Sequence, residues 1–197
     1  MNKQIIISIS REFGTDGHNI AKKIGQDFGI EYYDRKILGA IAEKLDVRVD
    51  VLQKYDEHLR NPFLSRRVGK YTNSIEEILM EIQFDYIRSR AESGESFVVV
   101  GRCSDAILKD YPGLIRIFIS GYPEKKKIRV MEKYSLSEQE AVRKIQRHDR
   151  NRKKYHNRYA DTKWGDSRYY DMCINNRTGV EKTAEIIEDF IRNIINE

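Results

Sequence analysis

Five short apolar runs constrain this chain most strongly: Ile5 to Ser10, Glu31 to Asp34, Phe97 to Val100, Leu114 to Ile119 and Met172 to Asn175, with helix-forming stretches between them. Short strands joined by helical crossovers specify a parallel sheet covered on both faces, and such sheets gather ligands at the carboxyl ends of their strands. A polar, glycine-bearing loop follows the first run and leads into a helix faced with Ile20, Ala21, Ile24 and Phe28, which Gly29 ends. The next helix carries Ile37, Leu38, Ile41 and Leu45. A further helical stretch with Leu52, Tyr55 and Leu59 stops at Asn61-Pro62, and 61–73 reads as a loop. Ser74-Ile75-Glu76-Glu77 is a capping box opening a long helix with Ile75, Ile78, Leu79, Ile82 and Tyr86 on one face and Gly94 at its close. A short helix is expected near Asp105 to Lys109, Pro123 suits a first helical turn, and Ser137 to Glu140 form a second capping box. Thr178 opens a last helix faced with Val180, Ala184, Ile187, Ile191 and Ile194.

The chain has 197 residues, 40% of them hydrophobic and 34% charged, enough for one well-cored domain. It shows no repeat and no Pro/Gly linker. No apolar run approaches the ~18 residues of a membrane span, and the first residues carry no basic leader, so a cytoplasmic location is expected. Cys103 and Cys173 lie far apart without metal-type spacing and read as ordinary reduced thiols. The net charge of +5 belongs to one segment: Arg143 to Arg158 holds eight Lys/Arg against Asp149 alone, a local +7 that leaves the rest of the chain at −2. Such localisation points to one anionic ligand and disfavours a nucleic-acid binder.

Four places carry candidate chemistry. The strand-to-helix loop Ser10 to Asn19 can aim free backbone N–H groups and a helix dipole at a phosphate, through Gly14, Thr15, Asp16, Gly17, His18 and Asn19. The full pattern G-x-x-x-x-G-K-[ST] is not met: the lysine place falls on Gly17 or His18, and the hydroxyl place on Asn19 or on nothing. A plain turn using glycines for backbone geometry competes with phosphate binding here. Asp34-Arg35 ends the second strand, where an acid meets ribose or simply caps a helix. Gly101-Arg102 follows the third strand, where an arginine forks onto phosphate or forms a surface ion pair. Within the basic run, Arg147 and Arg150 share a helical face, as do Asp149 and Arg152, so several guanidinium groups can converge on a polyphosphate. With no loop lysine, Arg147 and Arg150, with Arg11 beside the loop, are the candidates to meet the charge of a migrating phosphoryl group. Tyr155, Tyr159, Trp164, Tyr169 and Tyr170 downstream read as core or hinge packing.

The strings Ser8-Ile9-Ser10-Arg11-Glu12-Phe13-Gly14, Tyr33-Asp34-Arg35, Val100-Gly101-Arg102, Asp149-Arg150-Asn151-Arg152, Trp164-Gly165-Asp166 and Tyr170 to Asn175, in this order, resemble the cytidylate-kinase-like family over almost the whole chain. The resemblance implies an α/β P-loop kinase fold, a three-layer sandwich with a five-stranded parallel sheet. Its core would span 1–45, 96–145 and 167–197, with a nucleoside-monophosphate-binding insertion about 46–95 and a lid about 146–166. It implies transfer of the ATP γ-phosphoryl, assisted by Mg²⁺, to CMP or dCMP. By the same resemblance the 14–19 loop holds the donor phosphates, Asp34, Arg35 and Arg102 face the acceptor nucleotide, and Arg147, Asp149, Arg150 and Arg152 belong to the lid. Asp149 and Arg152 are counted there as acceptor-binding. A nucleotide-binding regulator without turnover is the alternative that the altered loop favours.

Overall fold

In the computed structural model the five apolar runs become strands of one parallel sheet. They are β1 (Ile6–Arg11), β2 (Glu31–Tyr33), β5 (Phe97–Val100), β6 (Leu114–Ser120) and β7 (Met172–Asn175), in the order β2-β5-β1-β6-β7. Each lies within one residue of the boundaries expected from sequence. The structure describes residues 4–34, 36–45, 48, 50, 67–68, 71–72 and 74–196. The helices are α1 (Gly17–Phe28), α2 (Lys36–Leu45), α3 (Ile75–Glu92), α4 (Ser104–Ile107), α5 (Pro123–Tyr134), α6 (Glu138–Tyr159) and α7 (Val180–Ile195). The helical stretch expected at Leu52 to Leu59 and its stop at Asn61-Pro62 lie outside the described residues. Inside the segment read as a loop, β3 (Arg67–Val68) and β4 (Tyr71–Thr72) pair antiparallel.

Strand alternation divides the core into two layers. Ile7 and Ile9 of β1, with Val98 and Val100 of β5, face α1 and α7 through Ile20, Ala21, Ile24, Ala184, Ile187 and Ile191. Ile6, Phe97 and Val99 point the other way, against Ile37, Leu38 and Ile41 of α2 and Leu79, Ile87 and Ala91 of α3. Each fully buried isoleucine contributes roughly 1.5–3 kcal/mol, so the two layers fix which ends of the strands lie together. Helix α3, within the segment read as an insertion, therefore packs on the sheet layer.

Its buried face differs from the sequence expectation. Leu79, Met80, Gln83, Phe84, Ile87 and Ala91 are covered, while Ile75 and Ile78 are exposed. The expected face started the register at the first apolar residue after the cap, whereas contacts with α2 and with Cys103 and Tyr155 select residues one position on. The cap is in place, with the Ser74 hydroxyl accepting from the Glu77 amide at 3.3 Å. Ser137 and Glu140 form a reciprocal box at the start of α6, the Glu140 carboxylate accepting from the Ser137 amide at 2.9 Å. Among the described residues no helix is long and apolar enough to cross a membrane.

Candidate phosphate-binding site

Because all five strands run parallel, the loop after β1, the end of β2 and the turn after β5 share one edge of the sheet. The loop is shaped by its glycines. Gly14 has φ of 82°, and a Cβ there would stand 3.0 Å from Val130 Cγ2 and 3.2 Å from the Lys126 carbonyl, so α5 presses directly on the loop. At Gly17 a Cβ would meet Arg11 Cβ at 2.9 Å. Thr15 is buried and its hydroxyl donates to the Glu12 carbonyl at 2.8 Å. The first intrahelical bond of α1 runs from Ile20 N to Asp16 O, so the amides of Gly17, His18 and Asn19 precede the helical ladder at its positive end.

These amides open onto a cavity of about 290 Å³ lined by the whole loop, with Arg11 and Asp34 on the sheet side, Arg129 and Lys133 from α5, and Arg152 from α6. Asp34 is buried and its Oδ2 lies 2.6 Å from His18 Nδ1. Burial alone raises its pKa, but the charges of Arg11 and Arg102 and the His18 hydrogen bond outweigh that, so the carboxyl titrates below its ordinary value. Arg35 lies outside the described residues.

Arg102 is buried within a turn in which Gly101, Arg102 and Cys103 all have positive φ, of 73°, 60° and 51°. Two consecutive non-glycine residues in that region store strain, which neighbouring bonds offset. Ser104 Oγ donates to Gly101 O at 2.8 Å and lies 2.6 Å from Ser8 Oγ, and Asp105 Oδ2 accepts from His156 Nε2 at 2.8 Å. A second, small cavity of about 20 Å³ lies here, between Arg11, Arg102, Arg152, His156 and Trp164.

Helix α6 docks on the loop through residues whose spacing was noted but whose partners were not. Asp149 Oδ1 accepts from the Phe13 amide at 2.6 Å, the His148 ring stacks on Phe13 at 4.2 Å, and Arg152 Nη1 donates to the Arg11 carbonyl at 3.2 Å. Arg147 and Arg150 are exposed and line neither cavity. The feature that sequence reasoning missed is Lys126. It is buried, with Nζ 2.9 Å from Glu12 Oε2 and 3.5 Å from Asp149 Oδ2, and so ties loop, α5 and α6 together. The sequence carried one signal for it, a lone acid inside the basic run. Burial holds the Asp149 pKa above its ordinary value despite the Phe13 amide and the Lys126 charge. The downstream aromatics pack as expected: Trp164 and Tyr170 meet Phe118 at 5.2 and 5.1 Å, and Tyr155 meets Tyr159 at 5.0 Å.

Asp34→Asn is expected to lower stability by about 2 kcal/mol at pH 7, because it removes the anion facing two guanidinium groups at a buried position. The sign follows from its depressed pKa: the carboxylate's contribution is full above the unfolded value and is lost as pH falls through the folded one. Urea unfolding of both proteins should give a constant difference from about pH 5 to 8 that closes below about pH 4. A difference independent of pH down to the acid limb would contradict it.

A parallel five-stranded sheet with a glycine loop and helix N-terminus at its carboxyl edge defines a P-loop kinase fold. The model of the cytidylate kinase-like family matches residues 6–178, and the chain belongs to that family. A crystal structure of an uncharacterized protein from Eubacterium ventriosum ATCC 27560 is similar at 36% identity with a TM-score of 0.75, over 96% of this chain and 99% of that one. In fold alone it is also similar to shikimate kinase from Bacteroides thetaiotaomicron, at 11% identity and a TM-score of 0.59 over 95% of this chain and 98% of that one. A gluconokinase from Sinorhizobium meliloti 1021 matches at 10% identity and a TM-score of 0.58, over 100% of this chain and 96% of that one. No curated protein matches the sequence.

Proposed function

We propose that this protein transfers the γ-phosphoryl group of ATP to a pyrimidine nucleoside monophosphate, CMP or dCMP. The observation that carries the reading is the cavity lined by the 14–19 loop together with Arg11, Asp34 and Arg152, with Arg102 in the small cavity beside it. Amides at a helix N-terminus bind the donor phosphates without carrying a net charge of their own. Arg11 and Arg152 supply fixed positive charge where the phosphoryl group passes from donor to acceptor, and such preorganised charge is worth most in a site that excludes water. Asp34 and Arg102 face the acceptor side. Asp149 holds the lid helix on the loop, and Arg147 and Arg150 extend the basic face of the same helix.

The donor set beside the loop fits Mg²⁺ as an ion carried in by the nucleotide. Asp34, kept ionised by its neighbours, and the Asn19 amide line the cavity, and Mg²⁺ takes few protein ligands when phosphates and water supply the rest. When bound, the ion neutralises charge on the phosphate oxygens. Among the described residues no group of three or more His, Cys, Asp or Glu forms a dedicated metal cage.

A non-catalytic nucleotide binder is the second reading. It is favoured by the Lys126 ammonium being engaged by Glu12 and Asp149, so that this buried lysine is committed to carboxylates beside the loop. A coupled assay with ATP, Mg²⁺ and each nucleoside monophosphate separates the two. Turnover is expected with CMP and dCMP above the other acceptors. ATP binding without turnover on any monophosphate would select the second reading.

A further inference from the structure

We propose that the outer face of α6 is a docking surface for double-stranded nucleic acid, held by its phosphate backbone without regard to sequence. The surface lies apart from the loop cavity, and the inference stands whether or not the protein transfers a phosphoryl group.

The basic run reads as one anion site until the two faces of its helix are separated. The inner face docks on the rest of the chain, with Ala141, Ile145, Tyr155 and His156 buried and Asp149 and Arg152 bonded to the loop. Arg143, Arg147, Arg150, Lys154 and Arg158 are exposed, line neither cavity, and follow one another at steps of four, three, four and four. That spacing places all five on one stripe, opposite the docked face and about 22 Å long.

The stripe differs from the other helix surfaces in how its charge is met. Elsewhere surface cations meet carboxylates: Lys23 with Asp27 at 2.8 Å on α1, Arg88 with Asp85 at 3.2 Å on α3, Lys127 of α5 with Glu138 at 2.6 Å, and Arg192 with Asp189 at 3.2 Å on α7. On α6, Arg143 acts on Glu140, while Arg147, Arg150, Lys154 and Arg158 have no carboxylate partner among the described residues. Like charges one turn apart repel and weaken a helix. The helix dipole favours a cation at Arg158, in the last turn, but does not reach Arg143, Arg147 or Arg150.

The chemistry of the stripe selects its partner. The exposed positions from Arg143 to Arg158 hold arginine, lysine, Gln146 and Asn151, and no aliphatic or aromatic side chain. A protein interface needs an apolar centre, and a single strand needs aromatic platforms for its bases; the stripe offers neither. A basic helix holds a lipid surface through its apolar face, and that face of α6 is buried against α3 and α5. A duplex presents a regular row of phosphates with its bases covered, so a row of cations suffices. Four of the five are arginines, whose guanidinium groups fork onto phosphate oxygens.

The test is fluorescence anisotropy of a labelled DNA duplex of about 20 base pairs, titrated with the full chain from 50 to 200 mM salt without ATP. About five phosphate contacts give a log–log salt slope near −4.5, roughly 500-fold weaker binding across that range. Arg147→Gln/Arg150→Gln/Lys154→Gln should bring the slope to about −2 and weaken binding at 50 mM salt by about tenfold or more. Urea unfolding should find that variant as stable as wild type, because the cations removed repel one another. Arg88→Gln/Lys109→Gln/Lys182→Gln loses the same net charge from other exposed positions and should bind as wild type does. Equal losses in the two triple variants would overturn the proposal, as would absence of wild-type binding at 50 mM salt. Tighter binding to a single strand of the same length would overturn the duplex as partner. Binding to phosphatidylserine vesicles but not to the duplex would assign the stripe to a lipid surface instead.

Discussion

Arg152→Ala is expected to lower turnover with ATP and CMP by on the order of a hundredfold or more, with nucleotide affinity shifting far less. Arg152 lines both cavities, donates to the Arg11 carbonyl at 3.2 Å, and carries its guanidinium 5.8 Å from the centre of the Phe13 ring. It thus stands between the 14–19 loop and Arg102, where, on the proposed reading, charge on a moving phosphoryl group would be greatest. Lysine should restore only part of the rate, because a single ammonium cannot copy the planar two-pronged contact of a guanidinium with phosphate oxygens. Helical spacing singled out Arg147 and Arg150 for this task, yet both are exposed and outside the cavities. In steady-state kinetics with parallel binding measurements, alanine at either should cost at least tenfold less than alanine at Arg152. Equal losses at Arg150 and Arg152 would move the transfer role outward along the helix, and unchanged turnover in Arg152→Ala would dismiss it.

His156→Ala is expected to destabilise the fold by about 3 kcal/mol, a fall of roughly 10 °C in melting temperature for a chain of this size. His156 and Asp105 are both under 5% exposed and meet through one hydrogen bond of 2.8 Å. Asp105 Oδ1 and His156 Nδ1 have no partner of their own. Without the imidazole, the buried carboxyl of Asp105 loses the hydrogen bond at its Oδ2, and leaving it unmet costs more than the original bond contributed. Removing both groups in His156→Ala/Asp105→Ala should recover part of the loss, and a double-mutant cycle read by urea unfolding measures how much. A single-variant loss below about 1 kcal/mol would mean that water already serves this pair.

Local signals carried most of the fold. The five strands and the Ser137 box depend on residues within a few positions of one another, and periodicity reads such neighbours directly. The carboxyl-edge placement of the loop, Asp34 and Arg102 followed from strand direction alone. Periodicity failed where an apolar residue lies beside the true face and not on it, as with Ile75 and Ile78 in α3. The site was legible in its loop and strand ends, and illegible in its tertiary ties. Lys126 to Glu12 and Asp105 to His156 span 114 and 51 residues, and nothing local marks a lysine in a charged helix as the buried one. Helical spacing showed which arginines share a face, but which face meets the loop is set by Phe13 docking on His148 and Asp149.

Trp164 packs edge-on against Phe118 and borders the small cavity between Arg102 and Arg152. It is also the chain's single tryptophan. The protein therefore carries one indole, placed between the sheet residue Phe118 and the small cavity that Arg102 and Arg152 also line. Its emission is a signal from the site alone, without contribution from a second indole elsewhere in the fold. Ligand arrival is thus readable in the unlabelled chain, by light, and independently of whether any phosphoryl group is transferred.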